Sequence, residues 1–255
     1  MIEYSTAFRN LLQGFCSKKR LLTNGVFRIY DGTPPDSPDY AATGTMLCQI
    51  TLSSGAWTPE VLSYGQVTLS GTGGQVDSVT VNSVELLNSP IVYLTSLTVT
   101  AALVASAINR NITNPKYIAS SSGAVATIKA LPGTGISPNT WVVACTVSGG
   151  TLAKTVVAMS GGVAPVNGLT FDEVIVGVLE KIGVWSGVNS ATGTASYFRM
   201  TSSVADNDLV DAAPWTKPRM QGTCGQNNAD YIMGSTSMTI ALPHVMETWI
   251  ETLSE

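Results

Sequence analysis

The side chains capable of chemistry are few in this sequence and stand far apart. His244 is the only histidine, so a serine–histidine–aspartate relay has one possible base, and no Gly-x-Ser-x-Gly stretch offers it a nucleophile. It follows Pro243 after a run of strand character, where a structural or surface imidazole is expected. Cys16, Cys48, Cys145 and Cys224 form no Cys-x-x-Cys pair, which removes the spacing of a zinc site. They read as isolated thiols in apolar surroundings; a bridge such as Cys16–Cys48 requires an oxidising destination. Asp31, Asp36 and Asp39 share a proline-rich loop but lack the spacing of an EF-hand. "GTGG" at 71–74 and "GTG" at 133–135 lack the strand–glycine–helix setting that cradles phosphate, and read as turns. Trp57, Trp185, Trp215, Tyr197 and Phe198 could form a sugar platform, but their dispersal among strands fits core and interface anchors better. A glycan-cleaving enzyme would need two carboxylates about 5–10 Å apart in a cleft, and the acids here fall mostly in loops. The expectation is no catalytic, cofactor-binding or metal-ligating residue, no cofactor, and no enzyme.

Composition narrows the partners. Charged residues make up 12% of the 255, about half the usual share of roughly 25%. A monomer with so little charge has a solubility problem that assembly would relieve. The formal charge of -4 speaks against nucleic-acid binding, which needs clustered Lys and Arg. Lys18-Lys19-Arg20 comes nearest to a basic patch and reads as a solvated cluster flanking a helix. No apolar run reaches the roughly 18 residues of a membrane span, and the opening Met1-Ile2-Glu3-Tyr4 is not that of a signal peptide. The chain is expected to be soluble and unexported, with no membrane partner.

The elements available to position a site are mostly strands. Residues 5–14 predict a short helix capped by Ser5 or Thr6, with Phe8, Leu11 and Leu12 on one face, Gly14 after it and Phe15 packing back on Leu11. "GVFRIYDG" from Gly25 alternates Val26, Arg28 and Tyr30 against Phe27 and Ile29. Its successor, 33–44, is a proline-containing loop. Further strands are expected at 45–52, 169–176, 182–186, 194–202, 220–226 and 231–242, a pattern of short strands and turns that suggests an antiparallel β-sandwich. Residues 66–163 differ: a hairpin around Asn82-Ser83, a helix over 98–109 with Val99, Ala102, Leu103 and Ala107 on one face, and strands at 117–121, 124–130, 141–147 and 154–159. That is a small α+β module. Proline-containing junctions on both sides mark it as an insertion into a surface loop. The expected organisation is an N-terminal helical docking arm (1–24), a discontinuous sandwich (25–65 plus 164–255), and the inserted module (66–163).

"YSTAFRNLL" (4–12), "GVFRIYDGTPPDSPDYAATGTMLCQITL" (25–52), "NGLTF" (167–171), "GVWSGVNSATGTASYFRM" (183–200) and "MQGTCGQNNADYIM" (220–233) resemble, in that order, a family of tailed-bacteriophage virion proteins. "VDSVTVNSVELL", "TAALVASAIN", "YIASSSGAVATIKALPGTG" and "MSGG" (159–162) resemble separately a small module recurring in phage tail and fibre proteins. The resemblance implies a structural component of the neck, collar or tail, present in several symmetric copies. Its partners would be itself and other virion structural proteins, and its place the virion, assembled in the host cytoplasm. The alternative is a capsid decoration or fibre-like protein whose module projects toward the host surface. Phe8, Leu11, Leu12 and Phe15 are the expected interface residues, since an apolar helix face of that size would not stay in water.

Overall fold

Alternation of apolar and polar residues makes strands of much of this chain, and glycine-rich turns separate them. In the computed structural model, residues 1–14, 16–111, 113, 116–173, 177–211 and 216–252 are described. Phe15, Trp215 and the end of the strand expected at 169–176 lie outside them. The fold is mainly β, with antiparallel sheets and three helices among the described residues. None of these helices is long and apolar enough to cross a membrane.

In chain order the first elements are β1 (Glu3–Tyr4), α1 (Thr6–Gly14), α2 (Lys18–Leu22), β2 (Val26–Tyr30) and β3 (Met46–Leu52). Next come β4 (Tyr64–Ser70), β5 (Gln75–Val81), β6 (Val84–Glu85), β7 (Ile91–Val92), α3 (Leu97–Arg110), β8 (Tyr117–Ser122), β9 (Val125–Ala130), β10 (Val143–Ser148) and β11 (Ala153–Ser160). The rest are β12 (Thr170–Phe171), β13 (Val178–Ile182), β14 (Trp185–Val188), β15 (Gly193–Thr194), β16 (Tyr197–Thr201), β17 (Arg219–Gly225), β18 (Tyr231–Ile232), β19 (Ser237–Met238), β20 (Pro243–Met246) and β21 (Ile250–Thr252). The chain divides into two units, Met1–Glu60 with Pro165–Glu255, and Val61–Ala164. The boundaries expected at 66 and 163 lie close to this division.

In the first unit, an eight-stranded sheet runs β1-β17-β16-β2-β3-β14-β20, with β18 joined to β17 in parallel. β12, β13 and β21 form a three-stranded sheet, and β15 and β19 a pair. The large sheet has two unlike faces. Phe27 is opposite Met200 and Ile50, and Ile29 opposite Phe198 and Cys48; the Phe27 and Phe198 rings stack at 4.5 Å. Gly222 opposite Phe198 leaves room for that ring, since a Cβ there would lie 2.7 Å from it. The other face carries Arg28, Tyr30, Tyr197, Arg199, Thr201 and Arg219. All of β2 and β16 is buried, so the polar face is covered too, which simple alternation did not indicate.

Helix α1 starts where expected. Ser5 Oγ accepts the Phe8 N–H, and the Asp39 carboxylate takes the Thr6 N–H at 2.9 Å. Its apolar face does not wait for a neighbour, however. Ala7, Phe8 and Leu11 are fully buried within the chain's own fold, Phe8 stacking on Tyr4 at 4.8 Å, and Leu12 is half-buried. The docking arm expected at 1–24 is therefore corrected to a part of the first unit: Ser5 N–H donates to Arg219 O and β1 pairs with β17. Lys18-Lys19-Arg20 opens α2, which Ser17 caps.

In the second unit, one four-stranded sheet is β10-β5-β6 with β7 on β5, and the other is β11-β4-β9-β8. β5 pairs with β10 and β4 with β11, while β4 leads into β5 and β10 into β11. A two-stranded ribbon thus bends from one sheet into the other at 71–74 and 149–152, a corner rather than two separate turns. Glycine is required there: Gly74 has φ +77, and a Cβ on it would lie 2.1 Å from Gly149 O. The Asn82-Ser83 hairpin forms as expected, both residues at positive φ. β4 went unpredicted although Val67 and Leu69 alternate with polar residues. Helix α3 starts at Leu97 under a Ser96 cap, one residue before the start expected at 98, and is turned from the expected orientation. Thr100, Ala101, Val104, Ala105 and Ile108 are buried, whereas Val99 and Ala102 are exposed. Small and apolar residues surround this helix, so pattern alone does not select a face, and Thr100 satisfies its hydroxyl on Ser96 O at 2.9 Å. Buried Lys116 donates to the carbonyls of Ile108, Asn109 and Asn111, closing the helix C-terminus.

Candidate interaction surface

Strand pairing places Gln49, Arg28, Arg199 and Gln221 in one row across β3, β2, β16 and β17. Arg219 lies opposite Thr201, two residues along the same face. Three guanidinium groups on one covered face need acids, and the segment 205–211 brings them. Arg219 grips Asp206 with Nε and Nη2, each at 2.6 Å, the bidentate geometry that Arg makes best. Arg28 Nη1 donates to Asp208 Oδ2 at 2.6 Å, and Tyr30 donates its hydroxyl to the same oxygen at 2.7 Å. Arg199 is the least satisfied of the three: Nη2 donates to Gln221 Oε1, Nη1 is 3.7 Å from Asp208 Oδ1, and Nε has no hydrogen-bond partner.

This network fixes backbone as well as charge. Arg219 donates to the carbonyls of Pro38 and Leu209 at 2.9 and 2.6 Å. Gln221 donates to Pro35 O and Tyr197 to Thr43 O. The loop 31–45 and the segment 205–211 are then tied to each other, Ala42 N–H to Asp208 O and Asp211 N–H to Asp39 O. Burial pushes the Asp206 carboxyl up, but the Arg219 hydrogen bonds and charge outweigh it and hold that carboxyl below its ordinary value. Burial, then the Asp208 charge and hydrogen bond, push Tyr30 up. Burial and the Arg219 charge pull Arg199 down.

Segment 205–211 is inside out. Its acids Asp206 and Asp208 face the arginines, while Leu209 and Val210 are 59% and 57% exposed, beside Tyr40 at 55%. One aromatic and two aliphatic side chains are displayed on backbone held from beneath, the arrangement of binding anchors set in advance. In the second unit, β11 is uncovered in another way. Seven of its eight residues, all but Met159, are exposed, and its ladder among the described residues is to β4. Val156 and Val157 are 37% and 49% exposed there, on a sheet edge that residues 140–141 cover only at Met159.

The other candidates fall apart in space or in chemistry. His244 Nε2 sits 3.0 Å from the Tyr231 hydroxyl on a groove of about 350 Å³. Burial pulls the imidazole down and pushes the phenol up, so the ring is neutral near pH 7 and partnered by a group that keeps its proton. The four cysteines are free thiols, and burial pushes Cys16 to about 11 and Cys48 to about 12. Asp31 and Asp39 act on backbone: Asp31 accepts the Thr45 N–H and Asp39 caps α1. Among the described residues no group of three or more His, Cys, Asp or Glu is placed to hold a metal ion. Trp185, Tyr197 and Phe198 are fully buried rather than displayed. Tyr40, Leu209 and Val210 were missed in the sequence. The signal for Leu209 and Val210 there is "DNDLVD", two apolar residues among acids, which reads as an ordinary solvated loop. No known family, curated protein or solved structure matches the chain.

Proposed function

We propose that this chain is a structural component of a tailed-phage virion, assembling in several copies in the neck, collar or tail, with the first unit an antiparallel β-sandwich that carries the contact surface. The observation that supports this most is the display of Tyr40, Leu209 and Val210 at more than half exposure on loops braced by three buried arginines. Holding large apolar side chains rigidly in water has no benefit for a lone chain and a clear one for a subunit. Low charge agrees with it, as does the resemblance of the outer segments to virion proteins. The reading calls for no cofactor, metal or catalytic residue. Its partners are further copies and other virion structural proteins, and its place the virion, assembled in the host cytoplasm.

A second reading, a decoration or fibre-like protein whose module projects outward, draws on the paired crossings. Thr58 pairs with Val166, and Val61 with Val163, so the chain leaves for the module and returns through neighbouring residues. Gold-labelled antibody against residues 61–164 on purified particles tests both. Label confined to the neck or tail is expected; label spread over the head supports decoration, and absence of the chain from particles overturns the structural reading.

A further inference from the structure

We propose that copies of this chain join head to tail, the braced loop pair 31–45 and 205–211 of one copy receiving the edge strand β11 of a second copy. This rests on the structural reading above and names its partner surface. The receiving side is apolar at its centre, with Tyr40, Leu209 and Val210, and acidic around it. The two segments carry Asp31, Asp36, Asp39, Asp206, Asp208 and Asp211 and no basic residue. The three arginines beneath offset half of those charges and Lys217, whose Nζ donates to Asn207 Oδ1 at 2.8 Å, offsets a fourth, which leaves the acids in excess with Asp36 exposed at the surface.

The donating side has the opposite character. Among residues 153–160 the only charge is Lys154, exposed beside Thr155, Val156, Val157 and Ala158. The whole of 61–164 has Arg110, Lys116, Lys129 and Lys154 against Asp77 and Glu85, a net of +2, which leaves -6 for the remainder of the chain. Contact between two loop surfaces would set acid against acid, and contact between two β11 strands would leave the loop anchors in water. Only the mixed contact covers both apolar surfaces and joins opposite charges. Such a contact is heterologous, so every copy keeps one free surface of each kind and addition proceeds until a ring closes.

Two full-length variants separate this from the alternatives. Leu209→Asp with Val210→Asp removes the receiving surface, and Val156→Asp with Val157→Asp removes the donating strand. Light scattering is expected to give each alone the single-chain mass of 26.6 kDa. An equimolar mixture is expected to give a species of two chains and nothing larger, because one intact surface of each kind remains. Melting curves establish that both are folded. Lys154→Glu, which spares the apolar residues of the strand, is a milder companion expected to weaken assembly most at low salt. A strand variant that assembles as the unaltered chain does, a mixture that stays monomeric, or an unaltered chain monomeric at every concentration overturns the head-to-tail contact. Absence from purified particles overturns the functional reading and leaves this contact standing.

Discussion

At the scale of residues, the first unit depends on charges buried in pairs. Arg219 is fully buried and Asp206 nearly so, and removing one partner strands the other. Arg219→Met is expected to lower the stability of the first unit by about 3–5 kcal/mol, and Arg219→Met with Asp206→Leu to recover most of that loss. Urea titration of the four members of that cycle measures it; equal loss in single and double variants would mean that the carbonyl contacts to Pro38 and Leu209 matter more than the ion pair. On the acid side the pH dependence follows from three depressed groups, His244, Asp206 and, in the same step as Asp206, Asp230. His244 lies below its ordinary 6.5 and Asp206 below its ordinary 3.8 in the folded state, so the unfolded chain takes up each proton first. Stability from His244 is complete above pH 6.5 and declines as pH falls below it, and that from Asp206 declines as pH falls below 3.8. Melting temperature is expected to drop in these two steps, and His244→Gln to remove the upper one alone.

At the scale of elements, α1 shows how a face predicted from spacing can be right in composition and wrong in destination. Phe8, Leu11 and Leu12 do form a stripe, as the sequence reading expected, but Phe8 and Leu11 meet their own sheet. Phe8→Ala is expected to destabilise the first unit by about 3–5 kcal/mol with subunit assembly unchanged once folded. Thermal unfolding and light scattering on the same sample decide this, and loss of assembly without loss of stability would restore the docking arm. The helix α3 and the 71–74 corner carry the complementary lesson. Both were legible as elements, yet the side α3 buries and the bend of two strands together depend on partners far along the chain.

At the scale of the whole molecule, the two units have separate cores and the chain passes between them through paired residues. Deleting 61–164 and joining Glu60 to Pro165 through a short Gly-Ser linker is expected to leave the first unit folded and cooperative, because Thr58 and Val166 already lie side by side. Calorimetry should then find one transition near the one that this unit has in the full chain. A deleted chain with no cooperative transition would mean that the first unit depends on the second.

Local chemistry was enough to determine the mainly β character, the start of α1 at Ser5 or Thr6, the Asn82-Ser83 hairpin and the distinct stretch between about 66 and 163. Each of these rests on neighbours within a few residues: alternation, a capping hydroxyl, positive φ, a change in charge density. The arginine face, the inside-out segment 205–211 and the exposed anchors Tyr40, Leu209 and Val210 were decided only by tertiary structure. Arg28, Arg199 and Arg219 are far apart in sequence and look like three ordinary surface charges. Strand register brings them onto one face, the acids that neutralise them must then turn inward, and turning Asp206 and Asp208 inward is what leaves Leu209 and Val210 facing water.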